Sequence, residues 1–244
     1  MMKKKLNIII IILILVIVTC ALLLIRERVI YYKTIEEIKE TKIPVLTESL
    51  EVTDELKKLR AEYNNNDIKG IIYIQDTLNV LFTKYTDNDY YLKHALNKKK
   101  SVLGTPFLDY RHDENSKQLN IYGHNSTKYN PPFKSLEKYI QEDYYKSHNI
   151  INLYFDNEKR SYEIFSVLIA NKDSSEEHMQ FDYSNNKEWL EHFKRLKNRS
   201  LYETNVELLE SDNILILQTC STYYKYRDYQ KKFLLVVAKE VSEK

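Results

Sequence analysis

The hydrophobic pattern along the chain begins with one long apolar run and then changes its period. Residues 6–25 contain only two clearly polar side chains, Asn7 and Thr19. A helix of this length spans a bilayer core of about 30 Å. Over residues 31–63 apolar side chains recur at helical spacing among charged ones, with Pro44 between them. This second pattern predicts a stalk and one or two amphipathic helices.

After a turn signal at residues 64–67, the pattern becomes that of short β-strands. One helix is predicted among them at residues 189–196, where Trp189 and Leu196 mark apolar positions at helical spacing. Short strands in this number are typical of a barrel or a sandwich. The predicted strands cover residues 68–74, 79–83, 107–110, 119–122, 150–155, 162–169, 214–219 and 233–241.

The apolar run has the features of an uncleaved membrane anchor. A cleaved signal peptide is the competing interpretation, but the run is long for one and no small-x-small site closes it. A lipoprotein signal would need small residues before Cys20, which the sequence lacks. Lysines at positions 3–5 and the terminal amine outweigh Arg26 and Arg28, which Glu27 partly offsets. The positive-inside rule then places the N-terminus in the cytoplasm and the rest of the chain outside.

Composition narrows the class of protein. The 43% hydrophobic content is enough for one sizeable core, and a net charge of +2 is too small to indicate nucleic-acid binding. The cysteines Cys20 and Cys220 lie far apart in different contexts, so they do not form a disulfide framework. No spacing typical of metal ligands occurs, and we predict neither metal nor cofactor. Five histidines are therefore predicted to lie at the surface, namely His94, His112, His148, His178 and His192.

Three residues could together support covalent thiol chemistry. Cys220 ends an apolar strand and precedes a polar, aromatic loop, and a thiolate needs a cationic or acid/base neighbour. His124 follows Gly123, a residue that lets the backbone turn sharply, and its ring can accept or return a proton. Arg227, the only arginine after the cysteine, could stabilise an oxyanion.

Each of these residues also has an ordinary structural interpretation. A cysteine at a strand position is often a buried, inert thiol. A lone histidine at a turn is often merely solvated, and Arg227 could form an ion pair with Asp228. Position alone leaves these alternatives open.

The order of the motifs resembles that of the class B sortases over residues 67–239. No single motif is decisive, but their order and spacing together are specific. The motifs are Gly70-Ile71-Ile72, Asp87-Asn88-Asp89-Tyr90-Tyr91-Leu92, Gly104-Thr105-Pro106-Phe107-Leu108-Asp109, Tyr122-Gly123-His124-Asn125, Phe133-Lys134-Ser135-Leu136, Arg199-Ser200-Leu201 and Leu217-Gln218-Thr219-Cys220.

The resemblance implies a mainly β, α+β fold: a closed barrel of seven or eight strands with N-terminal helices and one helix between late strands. It implies a cysteine transpeptidase on the outer face of a Gram-positive-type membrane, without a cofactor. Cys220 would cleave a C-terminal sorting motif of surface proteins after threonine, in a sequence similar to Asn-Pro-x-Thr. His124 would protonate the departing amine, and a cell-wall peptide amine would accept the acyl group.

The same resemblance assigns Tyr122, Asn88 and Ser221 to the substrate groove. Two departures from the family pattern stand out. Arg227 lies seven residues after the cysteine, earlier than the family's arginine. Either Arg227 still reaches the site, or Lys232 substitutes as a point charge with poorer geometry, or the oxyanion is weakly stabilised. Gln218 replaces a residue that is usually a small hydroxyl, which predicts an altered motif preference.

The sequence therefore predicts three segments. Residues 1–28 form the cytoplasmic tail and anchor, residues 29–66 the stalk and N-terminal helices, and residues 67–244 the catalytic barrel. Two functions compete with transpeptidation at the same site. One is a thiol protease that releases its product to water, and the other is a catalytically weakened, membrane-tethered peptide-binding protein.

Overall fold

A single long helix, α1 (Met2–Glu40), carries the N-terminal apolar run in the computed structural model. The structure describes residues 2–40, 52–156, 158–171, 180–226, 228–229 and 231–242. Within α1 the stretch Asn7–Glu36 is long and apolar enough to cross a membrane. Its isoleucines and leucines from Ile8 to Ile25 are exposed, with 67% of Leu24 accessible. The helix forms a unit of its own. Pro44 lies outside the described residues.

A second helix, α2 (Val52–Tyr63), closes one side of the folded domain. Leu56 is fully buried there, in a cluster that includes the barrel residue Ile71. Arg60 secures the contact, because its guanidinium binds both carboxylate oxygens of Asp156 at 2.7 and 3.0 Å. Bidentate pairs of this kind are geometrically specific, so they define how α2 sits on the barrel.

The domain is a closed barrel of eight strands, as predicted. Around the barrel the order is β1-β2-β3-β4-β7-β8-β6-β5. Two neighbouring pairs are parallel, β2 with β3 and β4 with β7, and the other pairs are antiparallel. The strands are β1 (Ile68–Ile74), β2 (Leu78–Lys84), β3 (Phe107–Leu108), β4 (Gln118–Tyr122), β5 (Ile150–Tyr154), β6 (Lys159–Asn171), β7 (Ile214–Cys220) and β8 (Lys232–Val241).

Three further helices lie between the strands: a 3₁₀ helix (Pro132–Ile140), α3 (Glu142–Ser147) and α4 (Asn186–Asn198). The predicted helix around Trp189 is confirmed as α4. The sequence analysis missed the other two. In the 3₁₀ helix the buried residues Phe133, Leu136 and Tyr139 recur every three positions, which matches the 3₁₀ period but neither the α-helix nor the strand period.

Strand β7 is buried on both faces until its last residue. Leu217 points into the barrel, whereas Ile216 packs outside in a cluster with Trp189 and Phe193 of α4. Side chains alternate along a strand, so Gln218 and Cys220 lie on the outer face. Cys220 is the first exposed residue of the strand. The fold thus presents the cysteine at the rim of an otherwise rigid element.

The surface prediction was wrong for two histidines. His112 is only 6% exposed, and its Nδ1 accepts a hydrogen bond from the Asn120 amide at 3.2 Å. His192 is 2% exposed and lies 3.0 Å from the Tyr183 hydroxyl. Aromatic residues from other elements cover both rings, which local sequence does not reveal. His178 lies outside the described residues.

We predict that His192 makes stability depend on pH. Burial, reinforced by Arg195, lowers the pKa of His192 to about 4. The unfolded chain takes up this proton near pH 6.5, so stability is full above that value and falls down to about pH 4. His192 should account for about 3 kcal/mol of the loss. Chemical denaturation of wild type and His192→Asn across pH 4–7 checks this, and equal slopes would contradict it.

Candidate active site

The candidate catalytic residues lie at the ends of two adjacent parallel strands. Strands β4 and β7 pair in unbroken register from Gln118↔Ile214 to Tyr122↔Gln218. His124 and Cys220 each lie two residues beyond that last pair. Parallel strands end at the same edge of a sheet, so the register brings the two residues level although 96 positions separate them.

Hydrogen bonds continue past the end of β4 and hold the two chain segments together. The Gly123 amide donates to the Gln218 carbonyl at 3.0 Å, and the Thr219 hydroxyl donates to the Gly123 carbonyl at 2.7 Å. The Asn125 side-chain amide donates to the Cys220 carbonyl at 2.8 Å. These bonds lie before, beside and after the candidate residues, so the histidine cannot move away from the strand end without breaking them.

The reason for a glycine before the histidine differs from the one expected. Among the described glycines only Gly104 has a left-handed backbone, so Gly123 does not need one. A Cβ on Gly123 would instead lie 2.4 Å from the ring of Phe133. The position therefore requires glycine because the 3₁₀ helix packs directly against the backbone.

A backbone carbonyl determines which nitrogen of His124 carries the proton. Nε2 of the half-buried ring lies 2.9 Å from the Leu92 carbonyl oxygen. A carbonyl oxygen only accepts hydrogen bonds, so Nε2 is the donor. In the neutral ring Nδ1 is then the acceptor, and this is the atom that can take a proton.

A buried carboxylate, whose role was not predicted from the sequence, holds together the polar side chains near the end of β4. Asp109 is fully buried immediately after β3. It accepts hydrogen bonds from Asn88 Nδ2 at 2.9 Å and from the Tyr122 hydroxyl at 2.8 Å. Arg111 adds two more, from Nε at 2.8 Å and Nη2 at 2.7 Å. The structure thus brings Tyr122 and Asn88 together, with Asp109 between them.

The electrostatics of this cluster keep the carboxylate charged. Burial raises the pKa of Asp109, but the hydrogen bonds from Arg111, Tyr122 and Asn88 outweigh it and lower the pKa to about 2. Burial and the neighbouring Asp109 charge raise the pKa of Tyr122. Its hydroxyl therefore remains protonated. An acidic residue directly after a short apolar strand was the one sequence signal that could have indicated this cluster.

The loop after the cysteine is tied to other elements. The Ser221 amide donates to the Lys232 carbonyl at 2.9 Å, and its hydroxyl accepts from the Tyr223 amide at 3.1 Å. Thr222 donates to Glu137 of the 3₁₀ helix through its amide and hydroxyl, at 3.2 and 3.0 Å. Ser221 therefore lies in an ordered turn beside the cysteine.

The structure describes only one of the two candidate cations. Arg227 lies outside the described residues. Lys232, at the start of β8, donates from Nζ to the Tyr223 carbonyl at 2.6 Å. Its ammonium group is thus already engaged by the loop, although it has further protons to donate.

The site offers a thiol, an imidazole and the polar cluster around Asp109. Across the described ranges, no three His, Cys, Asp or Glu side chains form a group that could hold a metal ion. Neither Cys20 nor Cys220 forms a disulfide. The arrangement suits nucleophilic attack by sulfur with proton transfer through the neighbouring ring.

Sequence comparisons identify related proteins. A family model described as the sortase domain matches residues 89–241. Sortase B of Listeria monocytogenes is 30% identical over 196 residues, which cover 79% of this chain and 76% of that protein. Sortase B of Staphylococcus aureus is 27% identical over 178 residues, which cover 72% and 70%.

Solved structures agree in fold. Clostridium perfringens sortase B superposes with a TM-score of 0.68 at 28% identity, covering 76% of this chain and 99% of that one. A Staphylococcus aureus sortase B–substrate complex superposes with a TM-score of 0.71 at 23% identity, covering 90% and 98%. The Clostridium perfringens structure supports a common family. The Staphylococcus aureus structure shows the shared fold.

The closed barrel defines the fold, and the comparisons define the kind of enzyme. The chain belongs to the sortase family. Its relatives in sequence and in structure are sortase B proteins, so it is a class B sortase and a transpeptidase. This confirms the family and the enzyme class that the sequence motifs indicated.

We predict that Gly123→Ala is destabilising, because the new methyl group would overlap the Phe133 ring. Overpacking of this kind costs about 1–3 kcal/mol. Adding Phe133→Leu should recover part of the loss, so the two substitutions would be non-additive. Chemical denaturation of the single and double variants measures this coupling. Strict additivity would show that the ring does not limit the position.

Proposed function

We propose that this sortase uses Cys220 as its nucleophile and His124 as its general acid and base to join a sorting-motif protein to a cell-wall peptide amine. The parallel register of β4 and β7 is the observation that carries the proposal, since it places both residues at one edge of the barrel. The exposure of Cys220 supports it, because the sulfur is accessible to a peptide.

The first half-reaction forms a thioester. The Cys220 thiolate attacks the carbonyl carbon of the threonine in a motif similar to Asn-Pro-x-Thr, and the negative charge moves to the carbonyl oxygen. As the carbon–nitrogen bond breaks, the departing amine takes a proton from the His124 imidazolium. The acyl group is left on sulfur and the imidazole is neutral.

The second half-reaction reverses the proton transfer. An amine of a cell-wall peptide attacks the thioester and gives a proton to His124, and the thiolate leaves. A solved sortase B structure is a complex with triglycine, which supports a short peptide amine as the acceptor class. The reaction therefore ends with a new amide and the original protonation state.

We propose that Arg227 stabilises the oxyanion, as its sequence position seven residues after the cysteine suggests. The engagement of Lys232 with the Tyr223 carbonyl favours the arginine, because part of the lysine's hydrogen-bonding capacity is already used. A guanidinium also offers several donors in a rigid plane, which suits an oxygen whose charge develops during the reaction.

The groove for the motif lies on the outer face of β4 and β7. Tyr122 and Asn88 would form its wall, shaped by Asp109, and Ser221 would form its rim. Gln218 lies in register with Tyr122, and its Oε1 is buried without a hydrogen-bond partner among the described residues. A buried acceptor without a hydrogen bond costs free energy, so we infer that an N–H group of the substrate donates to Gln218 Oε1. This contact would make Gln218 alter the motif preference.

The apolar helix would anchor the enzyme in the membrane. Its exposed apolar surface over Asn7–Glu36 supports this role, because such a surface is unfavourable in water. The basic residues before it favour a cytoplasmic N-terminus and an extracellular barrel in a Gram-positive-type cell. We retain the division into residues 1–28, 29–66 and 67–244, although the first boundary falls within α1.

The deciding experiment follows the fate of the acyl group. Full-length enzyme should cleave a fluorogenic Asn-Pro-x-Thr peptide slowly in water, and adding triglycine should divert product from acid to amide because the amine competes for the thioester. Mass spectrometry of both products measures the ratio. Cys220→Ala should abolish both products, and His124→Ala should nearly do so.

Three results would count against transpeptidation. Cleavage by Cys220→Ala would exclude the sulfur as nucleophile. Acid as the sole product at high triglycine concentration would indicate a thiol protease. Peptide binding without either product, and without a covalent adduct on Cys220, would indicate a binding protein.

The cation assignment has its own test. Arg227→Ala should lower kcat about 10²- to 10³-fold, as loss of an oxyanion donor does. Lys232→Ala should cost clearly less, because its ammonium is bound to the loop. The comparison uses initial rates of amide formation, and Arg227→Lys serves as the charge-matched control. A larger loss in the lysine variant would reverse the assignment.

A further inference from the structure

The carbonyl that binds His124 belongs to residues 85–92, here called the Leu92 segment. Tyr91 anchors one end of this segment and is only 1% exposed. Its hydroxyl donates to Asp67 at 2.8 Å, and Asn65 donates to the same hydroxyl at 2.9 Å. The Tyr91 carbonyl accepts from the Thr105 amide at 2.9 Å. The residue next to Leu92 is therefore firmly held.

Asn88 anchors the other end. Its Nδ2 donates to Asp109, and its Oδ1 accepts from the Tyr110 amide at 3.0 Å. Both ends of the side-chain amide are thus used. Asp87, directly before Asn88, holds the turn that follows, because its carboxylate accepts from the Asp89 and Tyr90 amides at 2.8 and 2.7 Å. Only three residues of turned chain join Asn88 to Leu92, so the Leu92 carbonyl is held from both sides, by Tyr91 and through the turn by Asn88.

Asp109 is the fixed point of this arrangement. It is fully buried, and Arg111 holds both of its oxygens. The Arg111 guanidinium in turn lies 3.6 Å from the centre of the Phe181 ring. Contacts on several sides thus determine where Asp109 lies. The side chain of Asn88, in contrast, depends on Asp109 for its orientation.

We propose that Asp109 is a positioning residue that acts through Asn88 to hold the Leu92 carbonyl against His124, and so determines which ring nitrogen carries the proton. The proposal rests on the proposed acid/base role of His124. A histidine whose nitrogen has a fixed acceptor populates one tautomer, whereas loss of that acceptor lets both tautomers form. Only the tautomer with an unprotonated Nδ1 has its acceptor on the side away from Leu92.

Asp109 could also act by another route, through Tyr122 at the end of β4, two residues before the histidine. The two routes make different demands. The first needs Asn88, and the second needs the Tyr122 hydroxyl. Single substitutions separate them, because Asn88→Ala leaves the contacts of Asp109 with Arg111 and Tyr122, while Tyr122→Phe leaves those with Arg111 and Asn88.

The test is ¹⁵N NMR of full-length protein labelled in its histidine rings, recorded at alkaline pH so that the neutral ring is observed and not the imidazolium. The His124 signals are assigned by their loss in His124→Ala. Wild type should show Nε2 protonated. Asp109→Asn and Asn88→Ala should both show a mixture of tautomers, and Tyr122→Phe should keep the wild-type pattern. In the two variants that mix tautomers, kcat should fall about 100-fold, as small misplacements of catalytic groups do. Their double variant should be no worse than the poorer single one.

Wild-type tautomer signals in both Asp109→Asn and Asn88→Ala would overturn the proposal, even if turnover fell. A raised KM with unchanged kcat and tautomer would show that Asn88 only lines the groove. A mixed pattern in Tyr122→Phe alone would establish the other route. Asn88→Ala preserves the test should Asp109→Asn fail to fold. The NMR pattern is also independent of turnover, so an active His124→Ala enzyme would refute the proposed function and leave the positioning result readable.

Discussion

The parallel pairing of β4 with β7 is the constraint on which the site depends. The two strands are distant in sequence, and β5, β6 and α4 form the connection between them. Parallel neighbours need such a crossover connection. As a consequence of being parallel, both strands end at the same edge of the sheet. Because the register is unbroken to Tyr122↔Gln218, the residues that follow arrive side by side. The long connection between the two strands thus allows His124 and Cys220 to lie at the same edge.

Rigidity at this edge comes from buried contacts on every side. Strand β7 is buried on both faces, and Phe133 packs against the backbone of Gly123. In addition, the Leu92 carbonyl orients the His124 ring by accepting a hydrogen bond from its Nε2. With the proposed roles of Cys220 and His124, a nucleophile at the end of a rigid strand and an acid/base partner fixed by backbone groups would need little rearrangement before reaction. Cys220 is the exception, because it is exposed at the end of the strand.

Sequence patterns predicted the strands well because each strand has a strong local signal. Strand β1 was predicted with its observed bounds, and the others differ by a few residues. The 3₁₀ helix and the buried His192 escaped prediction for physical reasons. Apolar residues at every third position match neither the α-helix nor the strand pattern used to predict elements. Burial of His192 depends on contacts with residues such as Tyr183, which only the folded chain brings near. Asp109 escaped for the same reason.

By itself the sequence determined the apolar helix, the strand-rich domain and the residue types for thiol chemistry, since composition and periodicity are local properties. The motif order also indicated the sortase family, which the comparisons confirmed. Tertiary structure alone decided that His124 lies level with Cys220, that Leu92 orients its ring and that Asp109 links Asn88 to Tyr122. These are contacts between residues distant in sequence. They arise from strand register and buried hydrogen bonding, which no single segment encodes.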